Sequence, residues 1–388
     1  MKKQLIFLGL IILSGISGPA LAQEYNKPAL DSLAASRQVS NFKAAKFLLT
    51  GYTQTTLMYV PDKDFTISAL NFVPIFLWRP TEKIFFEGEL EVALDKGVTM
   101  IGLEYANINY IVNRYMIFRV GKFLTPFGAF QDRLHPAWIN RMPTRPLGFE
   151  EDGTTMPTTE IGVAINGGIP IGPSKINYSL YASNGPQLNT GEVTPGKEGT
   201  LLYANAEDNN INKALGGRVG YLPFSNSSLE IGGSFQTSKV GMKGTQYENV
   251  RATLLALDLT YVKQLPFLKG AIQVLSQWNS VEVGNAAYTD WKGDPTGNTP
   301  YTYNNKRSAM YSQIAYRPTL SKKRIIKNLE LVYRYGKLEQ PEGSKQSGQI
   351  KQSMYGLNYW INFRSVMKLA VQSQEGETAY FAQWALLF

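Results

Sequence analysis

The chain closes on Ala379-Tyr380-Phe381-Ala382-Gln383-Trp384-Ala385-Leu386-Leu387-Phe388. Counting back by twos from Phe388 gives Leu386, Trp384, Ala382 and Tyr380, all apolar. The intervening set, Leu387, Ala385, Gln383, Phe381 and Ala379, is smaller on average and holds the one polar residue. A two-residue period predicts a strand with two different faces. The more apolar face runs to the last residue, where a soluble domain ordinarily frays.

The same alternation recurs upstream. Over Glu82 to Lys96, Ile84, Phe86, Gly88, Leu90, Val92 and Leu94 point one way, and Glu87, Glu89, Glu91 and Asp95 the other. Four acids at alternate positions do not lie in a dry core without partners. One side of this strand is therefore wet, and the other meets lipid or a packed sheet. Counting every such segment (46–60, 65–79, 82–96, 100–112, 115–123, 159–169, 175–184, 213–224, 228–239, 250–265, 268–283, 307–318, 327–339, 351–362, 364–375 and 378–388) predicts about sixteen strands. With the first strand running outward, the connections after even strands are short: Pro80-Thr81, Asn113-Arg114, Pro266-Phe267 and Phe363 among them. Those after odd strands include Leu124 to Thr158, Gly185 to Asn212, Gly284 to Lys306 and Gln340 to Ile350. Trp78, Tyr110, Tyr115, Tyr221, Phe224, Phe267, Tyr316 and Phe363 gather at the short-turn ends, as in an interfacial belt. Loops sorted by parity belong to a transmembrane antiparallel β-barrel, with short periplasmic turns and long outer loops. A soluble sandwich has no reason to sort them. The terminal aromatic strand resembles the closing strand of bacterial outer-membrane barrels, the segment that the barrel assembly machinery reads. That resemblance makes Phe388, Trp384 and Tyr380 an assembly signal.

The other end agrees. Lys2 and Lys3 precede the apolar run Leu5 to Ile16 and then Ala20-Leu21-Ala22, which predicts a secretory signal peptide over residues 1–22. The run is too short to span a bilayer. Residues 23–45 are polar without alternation and are expected to form a periplasmic extension, leaving 46–388 as the barrel. There is no cysteine, hence no lipid anchor on one and no disulfide. The formal charge of +9 is dispersed, with no run of five basic residues, and export argues against nucleic acid.

One loop is long enough to carry function. Arg119-Val120-Gly121-Lys122-Phe123 and Pro126-Phe127-Gly128 lead into residues 124–158, where Pro126, Pro136, Pro143, Pro146 and Pro157 stiffen the chain. This segment resembles the corresponding strand and loop entry of the phosphate-selective porin O/P-like family of Gram-negative outer membranes. The resemblance is one of a short motif and of overall pattern. It implies a third loop folded into the lumen, passive diffusion of small hydrophilic solutes or of anions such as phosphate, and a homotrimer. It also makes Arg133, Arg141 and Arg145 candidates for the constriction, with Arg119 on the preceding strand and Glu87, Glu89 and Glu91 facing them. Arginine suits an oxyanion because it stays charged and binds bidentately. The alternative is a loop lying on the mouth, its arginines paired with Asp132, Glu150, Glu151 and Asp152. The expected inner faces also carry Arg218, Arg317 and Arg334, offset by Glu230, Asp258 and Glu330. No arginine ladder of the phosphate-selective kind is visible, so the selectivity stays open.

Two other classes stay open. A barrel-anchored adhesin or structural envelope component would also use the long outer loops. A barrel hydrolase requires a base, and the single histidine, His135, lies between Leu134 and Pro136 with no HExxH, GxSxG or Walker pattern anywhere. The expectation is no enzyme, no cofactor and no metal. Asp62-x-Asp64 and Glu207-Asp208 read as surface charge before they read as weak calcium ligands.

Overall fold

The computed structural model describes residues 46–63, 65–95, 98–150, 155–192, 194–203, 206–290 and 299–388. The expected signal peptide and extension lie outside the described residues, as do Asp64, Glu151 and Asp152. The chain runs β1 (Lys46–Tyr59), β2 (Thr66–Arg79), β3 (Ile84–Asp95), β4 (Val98–Asn113), β5 (Met116–Leu124), helix α1 (Phe130–Arg133), β6 (Thr159–Ile171) and β7 (Ser174–Ser183). It continues through β8 (Gln187–Leu188), β9 (Leu201–Leu202), β10 (Ala214–Leu222), β11 (Leu229–Lys239), β12 (Arg251–Leu265), β13 (Gly270–Val283), β14 (Ala287–Thr289) and β15 (Pro300–Thr302). It ends with β16 (Asn305–Arg317), helix α2 (Arg324–Asn328), β17 (Leu329–Gln340), β18 (Gly348–Asn362), β19 (Ser365–Gln374) and β20 (Glu377–Leu387).

Sixteen of these strands close into one antiparallel barrel. β8 with β9, and β14 with β15, form two small hairpins inside long loops. Those hairpins were not legible in the sequence, because two- and three-residue strands carry no period.

Closure rests on the terminal strand. β20 pairs with β1 from Tyr52 opposite Leu387 to Tyr59 opposite Tyr380. The Phe388 amide donates to the Gly51 carbonyl at 2.9 Å, and Thr50 Oγ1 donates to the Phe388 carbonyl at 2.7 Å. The Phe388 ring stacks on Phe72 at 5.3 Å, and Tyr380 stacks on Tyr59 at 6.0 Å. Gly51 is required here, since a Cβ would lie 2.7 Å from the Phe388 ring.

The strands are built inside out relative to a soluble protein. Along β20, Trp384 is 54% exposed while Ala385 is fully buried. Along β12, Leu255 and Leu257 are exposed, while Asp258 is buried. Apolar rows outside and polar rows inside are the pattern of a wall whose outer solvent is hydrocarbon. Trp78, Tyr110, Tyr221, Phe224, Phe267 and Phe363 are exposed at the short-turn rim, where a belt was expected. Among the described residues no helix is long and apolar enough to cross a membrane.

Candidate pore constriction

The connection between β5 and β6 enters the barrel. Its apolar side chains Phe127, Phe130, Leu147, Phe149 and Met156 pack against Leu275 of β13, Tyr311 of β16 and Leu338 of β17. The Phe149 and Tyr311 rings meet edge to face at 5.1 Å. Farther along, Met142 packs with Val332, Met354, Ala370 and Phe381, while Ala137 and Trp138 pack with Val73, Trp360 and Val366.

Inward-pointing polar side chains hold the loop backbone. The amides of Ala129 and Phe130 both donate to Gln277 Oε1 at 3.0 Å, and the Gly128 amide donates to Ser234 Oγ at 3.0 Å. Gly128 is left-handed (φ +67°), and a Cβ there would strike Gln277. Asn358 Nδ2 donates to the Arg141 carbonyl at 2.9 Å, and Gln383 Nε2 to the Pro143 carbonyl at 3.0 Å. Lys368 Nζ donates to the Ala137 carbonyl and to Gln383 Oε1. These anchors lie on β11, β13 and β18 to β20, so the loop fills that side of the lumen.

A cleft lies on the other side, between the loop and β1 to β4. One wall is Tyr52, Gln54, Asn71, Glu89, Glu91 and Glu104; the other is His135, Ala137, Asn140, Pro143 and Arg145. Tyr52 donates its hydroxyl to Glu89 Oε1 at 3.3 Å, and Asn71 donates to Glu91. Gln131 links the walls: its Oε1 accepts from Arg145 Nη1 at 2.8 Å, and its Nε2 donates to Glu104 Oε1 at 3.4 Å. His135 Nδ1 donates to the Gln131 carbonyl, the only role compatible with a carbonyl partner. Burial, with the Arg145 charge adding to it, pulls the imidazole down to about 3. His135 is therefore neutral in the cleft.

The expected site residues thus separate into groups. Glu89 and Glu91 meet Arg145 across the cleft. Glu87 and Arg119 pair with each other at 3.3 Å on β3 and β5, with Asn109 between them. Arg133 pairs with Glu230 of β11 at 2.7 Å, beside the Arg218–Asp258 pair. Arg141 lies 3.6 Å from Glu330 and 4.8 Å from the Trp360 ring. Arg317 lies 5.3 Å from the same ring, and Arg334 holds the loop.

Glu104 was missed for a physical reason. A register shift on β4 sets Glu89 opposite Tyr105 and Leu90 opposite Leu103, leaving Glu104 as the extra residue. Counting by twos from Ile108 and Tyr110 places Glu104 on the lipid side; the bulge turns it into the lumen. Gln131 in the loop, and Gln277, Lys368 and Gln383 on inner faces, left no signal, because a single polar residue does not say what it will hold.

A closed barrel of sixteen antiparallel strands with the third loop of its long-loop rim folded inside is the outer-membrane porin fold. Known structures agree. The outer-membrane channel DcaP of Acinetobacter baumannii superposes with a TM-score of 0.55 at 13% identity, over 89% of this chain and 99% of that one. An anion-selective porin from Comamonas acidovorans gives 0.54 at 11%, over 89% and 100%. OmpF of Salmonella typhi, in complex with daunomycin, gives 0.56 at 11%, over 88% and 98%. At such identities the likeness is one of fold. No family model matches the chain, and no curated protein is similar to it in sequence.

Proposed function

We propose that this chain is an outer-membrane porin through which small hydrophilic solutes diffuse passively, and that the cleft between the third loop and β1 to β4 is its constriction. The cleft itself carries the reading: it is an opening lined by charged and polar side chains inside a closed apolar-coated wall. Its lining holds Glu89, Glu91 and Glu104 against Arg145. Fixed charges in a narrow, partly desolvated passage are weakly screened, so this imbalance favours cations and neutral solutes. Anions such as phosphate are the second reading. It rests on the resemblance to phosphate-selective porin O/P-like proteins, and Arg145 is the residue that would serve it. A hydrolase is the weakest alternative, since His135 is held on a backbone carbonyl with no nucleophile bonded to it. Export by a cleaved signal peptide, insertion by the barrel assembly machinery and a homotrimer complete the proposal.

Planar-bilayer recording tests it. Stepwise conductance is expected, and its absence from folded protein would favour the adhesin or scaffold reading. In a salt gradient, Glu89→Gln with Glu91→Gln and Glu104→Gln should move the reversal potential toward anions, and Arg145→Ala toward cations. Arg133→Ala with Arg141→Ala should move it less than Arg145→Ala alone. Reversal potentials untouched by either cleft variant would place the conducting path elsewhere.

A further inference from the structure

The two rims of the barrel carry different electrostatics. At the long-loop rim, three basic residues have acidic partners: Lys63 with Glu377, Lys213 with Asp208, Lys345 with Asp290. The seven connections of the short-turn rim hold eight lysines and arginines against one acid, Glu82. Half of those cations sit in one connection, Pro318 to Asn328 between β16 and β17. Among the described residues, no carboxylate lies within ion-pair distance of Lys322, Lys323 or Arg324 in that connection, and all three side chains are exposed.

Apolar side chains stand exposed among these charges. Ile325 on α2 is 68% exposed, and Ile326 and Leu320 are exposed beside it. The neighbouring turn between β12 and β13 adds Phe267, 78% exposed, and Lys269. The two turns are joined: the Leu320 amide donates to the Lys269 carbonyl at 3.1 Å, and Tyr316 donates its hydroxyl to the Leu268 carbonyl at 2.6 Å. Arg317 Nε donates to the Lys327 carbonyl at 3.0 Å, which fixes α2 to the rim. The result is one braced patch of apolar and basic side chains, free of acids. It continues the exposed rows of Ile314 and Leu331 that face hydrocarbon on the strands below.

We propose that this patch binds a phospholipid with a net negative headgroup in the leaflet that meets the short-turn rim. Its two parts suit the two parts of such a lipid. Ile325, Ile326, Leu320 and Phe267 enter the acyl boundary, while Lys322, Lys323, Arg324 and Lys269 stand at phosphate level. Basic residues set beside apolar anchors at a membrane surface concentrate anionic lipid in this way, with an attraction that salt screens. An acidic soluble partner would use the cations and leave the apolar anchors unburied, which is why the lipid is the better match.

The inference rests on the barrel being embedded in a bilayer, not on its selectivity. The chain has no cysteine, so Ile325→Cys gives a single labelling site for a fluorophore. Labelled protein is reconstituted in equimolar phosphatidylcholine and phosphatidylglycerol, with bromine quenchers carried on one lipid or the other. Quenching by the brominated phosphatidylglycerol should be stronger by roughly threefold or more, and 0.5 M salt should reduce the excess, as expected of charge-driven enrichment (about threefold per contact is a modest attraction). Adding Lys322→Glu, Lys323→Glu and Arg324→Glu should abolish the preference while heat-modifiability and conductance persist. A label at Ser227, in a short turn with no charge of its own and one neighbouring lysine, Lys175, should show a weaker preference. Equal quenching by both lipids in the parent, an equal preference at Ser227, or a preference that survives the triple change would each overturn the proposal. So would a patch shielded from both quenched lipids by a bound soluble protein. Conductance recorded in the same bilayers separates failure of this inference from failure of the pore reading.

Discussion

Arg334 of β17 grips Thr144 of the lumenal loop twice: Nη1 donates to its carbonyl and Nη2 to its hydroxyl, both at 2.8 Å, and Nη2 also reaches the Arg145 carbonyl at 3.1 Å. The side chain is 1% exposed. An arginine on a pore wall is here the clamp that positions the neighbouring residue, Arg145, at the cleft. Hydrogen bonds from a charged group contribute about 1.5–3 kcal/mol each, and leaving their carbonyl partners buried and unmet adds to the loss. Arg334→Met should therefore loosen the loop, giving noisier and larger single-channel currents with the barrel intact. Arg334→Lys, which keeps the charge but not the fork, should fall between. Currents indistinguishable from the parent would mean that the apolar cluster alone holds the loop.

The faces of β3 make opposite predictions for neighbouring residues. Glu89 points into the cleft and Leu90 outward. Leu90→Arg should destabilise the barrel by about 2–4 kcal/mol if the residue lies near the midplane. Glu89→Gln keeps its shape and its acceptor for Tyr52 and should fold normally. Reversible denaturant unfolding in lipid vesicles reads both, and equal tolerance would mean the faces are reversed.

Phe388 ties the barrel shut through its amide, its carbonyl and its ring. Deleting it should lower the amount of heat-modifiable protein recovered from the outer membrane. A normal yield would show that the closing strand is complete at Leu387.

His135 is the only histidine in the chain, so its imidazole resonance needs no assignment. Burial holds its folded value at about 3, below the ordinary 6.5. The unfolded chain therefore binds the extra proton first, and the fold loses stability as pH falls from about 6.5 toward 3. The resonance of the folded protein should not titrate between pH 7.5 and 4.5, and His135→Gln should flatten the stability profile over that window. An inflection near pH 6.5 in folded protein would mean that the imidazole is solvated.

Period two, read from the residues alone, was enough to determine the sixteen barrel strands, most of their inner and outer faces and the sorting of loops onto two rims. It sufficed because each strand's faces meet different solvents, so local alternation records the global environment directly. The terminal row from Tyr380 to Phe388 and the acidic row of β3 are the clearest cases. The tertiary structure alone decided which charges meet. Arg133, Arg141 and Arg145 look alike in sequence. Three different partners, Glu230, Glu330 and Gln131, lie 97, 189 and 14 residues away along the chain and send them to three places. Glu104 reaches the cleft only because a bulge breaks the period that made everything else legible. Alternation is a local property of one strand, whereas the cleft is assembled from loop and wall residues that only the closed barrel brings within reach.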